Sequence, residues 1–580
     1  MVNTLVYLLL IFLLLNLGYH QLSKFLQNSI FYIFTLTVCG QQLIIVNEVE
    51  NDSLMASIEE ANMITSVSTF NEAKAELERA QDFLQKKGFL LASSTLRQAS
   101  TDSIFVQWEL GPKFNQLQIN FTEEQLADFQ AINLGIKDSI LSLSFEDYEN
   151  FTQQVLYAYT EAGLPFVKLQ LKDMQQMQDT LRASFDIASG KRRKIGKIYI
   201  KPYEKFPRAF ITHQVRIKTG QVFKKETLNK RMQRIEAIPF VRSVKNPEVQ
   251  FTKDSTHIYM YLEKINANSF DGFIGFSNSE GGSLELNGYI DLMLINNLNW
   301  GESLVINYKN DGRDQQRFRV NAELPFLASS PFSLETGLDF FRKDTTFSNT
   351  QTDLRLNYQL THQLRLSANS QWVTSTNLLT SPQTVTTDPV DSFNGNFYGL
   401  GLHFRQRREQ IGVFLNTTRL HLNTFIGNRV ADFGKNEQFK VEFSGEHSFK
   451  LTNRTYFFTA SHFRWLSSDR YVDNELYRFG GIQSIRGFEE NSLVASTYAT
   501  LQTELRYYLS ANLYANSVLD YGFFENDLRG ISERLYSVGF GLGLDTPAGI
   551  LRLIFANGAS DSQDFAFDNT QVHLSLNTFF

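Results

Sequence analysis

From about Asn266 to Phe580 the sequence keeps a single alternation of apolar and polar residues, and no helical period interrupts it. In "LVINYKND", Leu304, Ile306 and Tyr308 share one face, and Asn307 and Lys309 take the other. In "RFRVNAELPF", Phe318, Val320, Ala322 and Leu324 oppose Arg317, Arg319, Asn321 and Glu323. The stretches "FSLETGLDFF", "LRLNYQL", "YGLGLHF" and "VHLSLNTFF" behave alike, and the turns between them carry Asn, Asp, Gly, Ser and Pro. Successive side chains of a strand point to opposite faces, so these runs read as strands with one apolar and one polar face. A soluble β-sandwich alternates too, but residues 267–580 are too many for one sandwich. Arg and Glu also recur on the polar face, as a hydrated lumen requires, and an alternating strand runs to an aromatic last residue, Phe580. A closed sheet pairs every backbone group, so strands can cross a bilayer in that form. At about 20 residues per strand and connection, residues 267–580 are expected to form an all-β transmembrane barrel of about 16 antiparallel strands.

Residues 41–266 mix helix and strand. In "STFNEAKAELERAQDFLQKKGF", Thr69 offers an N-cap, Ala73, Leu77, Ala80 and Leu84 keep helical spacing, and Gly88 marks the stop. Two strand-like runs follow. The pattern returns with a helix over about 145–162 and again with Leu228, Met232 and Ile235 on one helical face. A unit of helix then two strands therefore repeats three times, with expected boundaries 41–115, 116–192 and 193–266. These α+β units resemble POTRA domains, most clearly at "EAGLPFVKL", where Gly163, Pro165 and Phe166 match that family's Gly-x-Pro-Phe turn between helix and strand.

The first 40 residues read as a targeting segment. "TLVYLLLIFLLLNLGY" and "SIFYIFTLTVCG" are apolar runs separated by Lys24. The second reads as the core of a signal peptide cut after Gly40. Lipidation of Cys39 and a retained anchor are the alternatives. Beyond residue 40 no apolar run approaches the roughly 20 residues of a spanning helix.

The stretch "RFGGIQSIRGFEENS", Arg478 to Ser492, places an arginine before a glycine and an aromatic between strand-like segments. Together with three soluble repeats and a C-terminal barrel, Arg486, Gly487 and Phe488 resemble the Arg-Gly-aromatic loop of the superfamily that includes BamA, TamA and the two-partner-secretion transporters. Three repeats fit a TamA-like member best. The resemblance implies a loop folded back into the lumen against an acidic residue of the inner wall. The family's Phe-x-Asp-x-Gly motif corresponds to "VLDYG", which keeps Asp520 and Gly522 but has Val518 in the aromatic position. Glu504, in "LQTELRYYL", is a second candidate partner. A planar guanidinium suits a bidentate carboxylate, and a charge away from water needs such a partner.

The first and last barrel strands are expected around Phe270 to Asn278 and Val572 to Phe580, and they must meet to close the sheet. Gly272 and Gly275 interrupt the first, which makes a weak seam there plausible, with Phe580 on its other side. An open seam exposes backbone groups that can template an incoming strand. The resemblance implies an outer-membrane factor of a Gram-negative-type bacterium, with its repeats in the periplasm. It would insert or export β-rich clients. The alternatives are a transporter for one secreted partner and a passive pore or receptor.

The expected partners are unfolded outer-membrane or secreted proteins, the lipid bilayer and periplasmic or inner-membrane accessory proteins. A net charge of -6 gives no basic field for nucleic acid. One cysteine excludes an intrachain disulfide, and no HExxH, Gly-x-Ser-x-Gly or Walker-type motif appears, so neither a cofactor nor an enzymatic reaction is expected.

Overall fold

The computed structural model describes residues 43–49, 52–98, 103–253, 255–278, 284–310, 315–379, 389–411, 414–546 and 549–577. The expected targeting segment 1–40, with Cys39, and the terminal Phe580 lie outside the described residues. The chain divides after Arg192 into two compact units.

The first unit holds two four-stranded sheets, each backed by helices. In the first sheet Leu43–Glu48 lies parallel to Ser103–Glu109, and Ser93–Gln98 and Ser66–Val67 add antiparallel edges. The helix Phe70–Lys86 begins where Thr69 Oγ1 accepts the Glu72 N–H at 3.2 Å. Its buried stripe is Ala73, Leu77, Ala80 and Leu84, and it packs with Ile104, Val106 and Trp108 of the sheet. The buried Trp108 indole N–H is satisfied by Asn47 Oδ1 at 3.0 Å. The second sheet repeats the plan with Gln116–Asn120, Ile140–Leu143, Lys168–Met177 and Thr180–Ala188, covered by Glu123–Ala131 and Phe145–Glu161. Its core is aromatic, with Phe121 centred 5.2 Å from Phe129 and 5.8 Å from Phe185, both edge-on.

Each of these repeats therefore contains more than the helix and two strands that periodicity suggests. A strand and a short helix precede them: Leu43–Glu48 with Asp52–Glu59, then Gln116–Asn120 with Glu123–Ala131. Helices of 8 and 9 residues span too few turns to display a stripe, so they are held by packing rather than announced by pattern. The third repeat opens the second unit. Ile195–Pro202 pairs in parallel with Thr256–Lys264, which pairs antiparallel with Val241–Phe251, and Lys225–Met232 packs Leu228 and Met232 against them.

The rest is one antiparallel sheet of 16 strands. They are β1 (Ser269–Asn278), β2 (Leu284–Ile295), β3 (Ser303–Asn310), β4 (Gln315–Leu324), β5 (Phe332–Lys343), β6 (Phe347–Gln359), β7 (Leu364–Asn377) and β8 (Phe393–Ile411). Then come β9 (Phe414–Ala431), β10 (Gly434–Lys450), β11 (Thr455–Ser468), β12 (Thr497–Tyr508), β13 (Leu513–Asn526), β14 (Ile531–Thr546), β15 (Gly549–Ser560) and β16 (Gln571–Asn577). Each strand pairs with its neighbours in sequence. The two faces differ as the alternation requires. On β14, Tyr536, Val538, Phe540, Leu542 and Leu544 are exposed, whereas Leu535 and Ser537 are buried on the opposite face. On β4 to β7 the inner face carries ion pairs, including Arg317–Asp339 at 2.6 Å, Arg355–Glu335 at 2.8 Å and Arg365–Glu323 at 2.9 Å. An apolar outer surface and a charged, internally paired inner one suit a wall with lipid outside and water inside. Among the described residues no helix is long and apolar enough to span a membrane.

The third repeat is clamped to the sheet through three turns on the near side. Tyr203 donates its hydroxyl hydrogen to Asn299 Oδ1 at 2.9 Å and accepts from the buried Asn296 Nδ2 at 2.8 Å. Phe210 meets Phe326 edge-on at 4.9 Å, and His213 Nε2 lies 2.8 Å from the Ser329 carbonyl. Arg216 donates to the Leu360 carbonyl at 2.6 Å.

Candidate functional site: a loop held inside the barrel

The connection between β11 and β12 turns inward instead of projecting from the rim. It forms a two-stranded ribbon, Tyr477–Phe479 with Leu493–Ala495, and the tip between these carries the Arg-Gly-Phe sequence. Arg486 at this tip is only 1% exposed. Its backbone N–H donates to Asp520 Oδ2 at 3.1 Å and its Nε to the same oxygen at 2.8 Å, while Nη2 reaches Oδ1. Asp520 therefore binds the fork of the guanidinium and the backbone behind it. Nη1 is taken by Glu504 on β12, and Nη2 also reaches the Thr503 carbonyl at 3.3 Å. Both expected acidic partners thus meet one arginine, Asp520 from β13 and Glu504 from β12.

Two further arginines complete the cluster. Arg506 Nε donates to Glu504 Oε2 at 2.6 Å, and Arg552 of β15 donates to Glu504 Oε1 at 2.7 Å. The Arg506 guanidinium also lies 3.9 Å from the centre of the Phe458 ring. Three cations share two carboxylates, and this electron-rich ring face supports the surplus charge. Neither arginine stands out in the sequence. The only sign is their inward phase in "ELRYY" and "ILRL", and which strands face one another there is decided by register.

Apolar groups cover the cluster on the loop side. Phe488 is buried with Phe479, Ile485, Tyr498, Phe524 and Leu535. Phe479 stacks on Tyr498 at 4.2 Å with the planes 4° apart. Gly487 has φ +81°, and its N–H points to His573 Nε2 of β16 at 3.3 Å. Val518, where the related motif has an aromatic, is fully buried with Ile554, Ala556 and Ile482. An aliphatic contact to the loop thus occupies the place of the ring.

The other sequence-selected residues lie elsewhere. Gly163 follows the helix Phe145–Glu161 with φ +91°; its N–H bonds the Thr160 carbonyl at 3.0 Å, and the Leu164 N–H bonds that of Tyr159 at 3.0 Å. This is a Schellman end, with Pro165 just beyond it and Phe166 about half exposed. Gly272 pairs with Ile290 and Gly275 with Asn287 on β2. Phe580 is outside the described residues. Among the described residues no ladder joins β1 to β16, so the expected pairing of the first and last strands is absent there and both stand as sheet edges. The described part of β16 has 7 residues, too few to match the 10 of β1 along its length.

The chain thus combines a 16-stranded antiparallel wall, a buried arginine loop and POTRA-like repeats before it. Residues 432–546 match the model of the haemolysin secretion/activation protein family ShlB/FhaC/HecB. That stretch runs from β10 to β14 and contains Arg486, Glu504 and Asp520. Among solved structures, BamA from Haemophilus ducreyi lacking POTRA domains 1–3 is similar, with 15% identity and a TM-score of 0.50 over 80% of this chain and 98% of that one. CdiB from Escherichia coli is similar with 14% identity and a TM-score of 0.50, over 86% of this chain and 97% of that one. No curated protein matches the sequence. The stretch 432–546 is thus similar to part of that family, and the two solved structures share the fold of this chain.

Proposed function

We propose that the protein inserts or exports β-rich clients at the outer membrane, capturing them on its three repeats and passing them to the edge between β1 and β16. The observation that carries this reading is the pair of sheet edges with no ladder between them among the described residues. An edge strand presents a row of N–H and C=O groups, and a client strand satisfies them by adding to the sheet. Gly272 and Gly275 supply few side-chain contacts on the β1 side, which favours exchange of one partner strand for another. The Arg486 cluster holds the loop across the lumen while this edge works, so the wall can part without leaving an open channel. With no nucleotide-binding motif in the sequence, the driving free energy is that of client folding or of its capture outside the cell. A TamA-like assembly role with three repeats is the form we favour.

A second reading, export of one secreted partner through the lumen, draws on the match of residues 432–546 to the secretion/activation family. It also draws on a cavity of about 480 Å3 on the inner wall, lined by Arg319, Glu323, Glu335, Asp339 and Arg355. Photo-crosslinking in cells separates the two. A crosslinker at Phe270, which is exposed on β1, should capture nascent barrel proteins. Capture of a single secreted protein from Glu335, with none from Phe270, would replace the first reading with the second.

A further inference from the structure

The loop is fastened a second time, far from Arg486, by residues that the reading above does not use. Directly after β11 the chain makes a short turn, Asp473–Glu475, and sinks it among the far ends of β6, β7, β9 and β10. Val472 is 0% exposed and Asn474 2%. The Glu475 carboxylate takes the Arg429 guanidinium, whose side chain is 0% exposed, and accepts Gln438 Nε2 at 2.8 Å. Arg429 also donates to the Arg470 carbonyl at 2.8 Å. Asn474 Nδ2 donates to Ser375 Oγ at 2.6 Å and to the Asp391 carbonyl at 2.7 Å, and the Asn474 carbonyl accepts from Asn349 at 2.7 Å. Asp473 closes back on the loop by accepting from Arg478 at 2.5 Å.

The two fastenings sit on different parts of the wall. Arg486 is bound by β12 and β13. Glu475 and Asn474 are bound by β6, β7, β9 and β10. They also sit at different heights. Ser375 and Arg429 lie close to the β7–β8 and β9–β10 connections, at the end of the sheet away from the turns that hold the third repeat. Glu504 lies four residues from the end of β12, on the repeat side. Between the fastenings lie residues 476–485, of which Tyr477–Phe479 pairs with Leu493–Ala495 while Phe479 packs with Ile485 and Phe488.

The physical character of the Arg429–Glu475 pair makes it a latch. Burying two charges is costly, and their attraction repays the cost only while both are present. A strand residue such as Arg429 cannot leave the wall, but a loop residue such as Glu475 can. If the pair is broken, the lower free-energy course is for the turn to leave and for water to reach Arg429. We propose that the loop is a plug with two independent latches. In it, Arg429 and Glu475, with Asn474, close the far mouth of the barrel and open without release of Arg486. Opening the far latch alone would uncover the outer half of the lumen while the inner half stays sealed.

Thiol labelling of the folded full-length chain in outer-membrane vesicles tests this. Val472→Cys reports the far latch and Ile485→Cys the near one, since both side chains are 0% exposed; each is made with Cys39→Ser to remove the single native thiol. Heat-modifiable mobility confirms that each barrel is folded. Glu475→Gln should speed maleimide labelling at position 472 by about tenfold or more and leave position 485 protected. The exchange Arg429→Glu with Glu475→Arg should restore protection at 472. Arg486→Ala should expose 485 and spare 472. The proposal is overturned if 472 stays protected in Glu475→Gln, or if 472 and 485 become reactive together in every variant.

Discussion

Gly487 and Gly558 meet back to back. A Cβ built on Gly487 would stand 2.6 Å from the Gly558 nitrogen, and one on Gly558 would stand 2.6 Å from the Gly487 carbonyl oxygen. The tip of the loop therefore rests directly on the β15 backbone, and Gly487 needs its left-handed φ of +81° to do so. Gly487→Ala meets both obstacles, and the backbone strain alone costs about 1 kcal/mol. The clash with β15 backbone cannot be relieved by turning a side chain. The expected outcome is a loop that no longer seats, read as faster cleavage near residue 486 by added protease while the unheated barrel still migrates as folded. Resistance equal to the parent protein would show that the loop tolerates a wider gap.

Arg486→Ala leaves Asp520 with backbone N–H donors but no cation, and leaves Glu504 with Arg506 and Arg552. Removing one partner of a buried pair costs about 3–5 kcal/mol, and here that cost falls on seating of the loop rather than on the 16-stranded ladder. Client handling should fall much more than the yield of folded barrel. Arg486→Lys should recover little, because an ammonium cannot reach Asp520 and Glu504 with separate arms of one fork. Complementation of a deletion strain by Arg486→Ala at parental level would remove the loop from the mechanism.

Burial pushes the pKa of the Tyr203 hydroxyl up from its ordinary value near 10. The protonated form bridges Asn296 and Asn299, so the clamp between the third repeat and the sheet depends on it. Above about pH 10 the unfolded chain releases this proton while the clamped form keeps it, so stability falls as pH rises beyond that point and is intact below it. Tyr203→Phe should weaken the clamp by about 1 kcal/mol at neutral pH and flatten this alkaline loss. Proteolysis between the repeat and β1, followed from pH 8 to 11, measures both. An alkaline slope unchanged in Tyr203→Phe would assign the effect to another group.

The parts of this molecule that are legible in its sequence are those set by local periodicity. Alternation marks the strands from Ser269 onward, and the stripe at Ala73, Leu77, Ala80 and Leu84 marks a helix, because a repeat of two or 3.6 residues is visible without knowing what packs on it. The short helix Glu123–Ala131 is hidden for the converse reason. Arg486, Asp520 and Glu504 stand out as charges and resemble a known loop pattern, and the structure brings their side chains together. Arg552 and Arg429 do not stand out. Each is an inward charge among many, and only the pairing of strands and the path of the loop bring Arg552 to Glu504 and Arg429 to Glu475.

Val518 shows how this wall meets its own loop. It is 0% exposed and packs with Ile554 and Ala556 on β15 and with Ile482 of the loop. A ring at this position would need volume that Ile554 and Ile482 already fill. Val518→Phe, although it restores the aromatic of the related motif, should therefore destabilise the seated loop by about 1–3 kcal/mol. Pairing it with Ile482→Ala removes the obstructing side chain from the loop and should recover most of the loss. Loop protection against protease in the two variants decides the matter. A Val518→Phe protein whose loop is better protected than the parent's would mean that the wall has slack for a ring, and that valine is a loosening substitution rather than a fitted one.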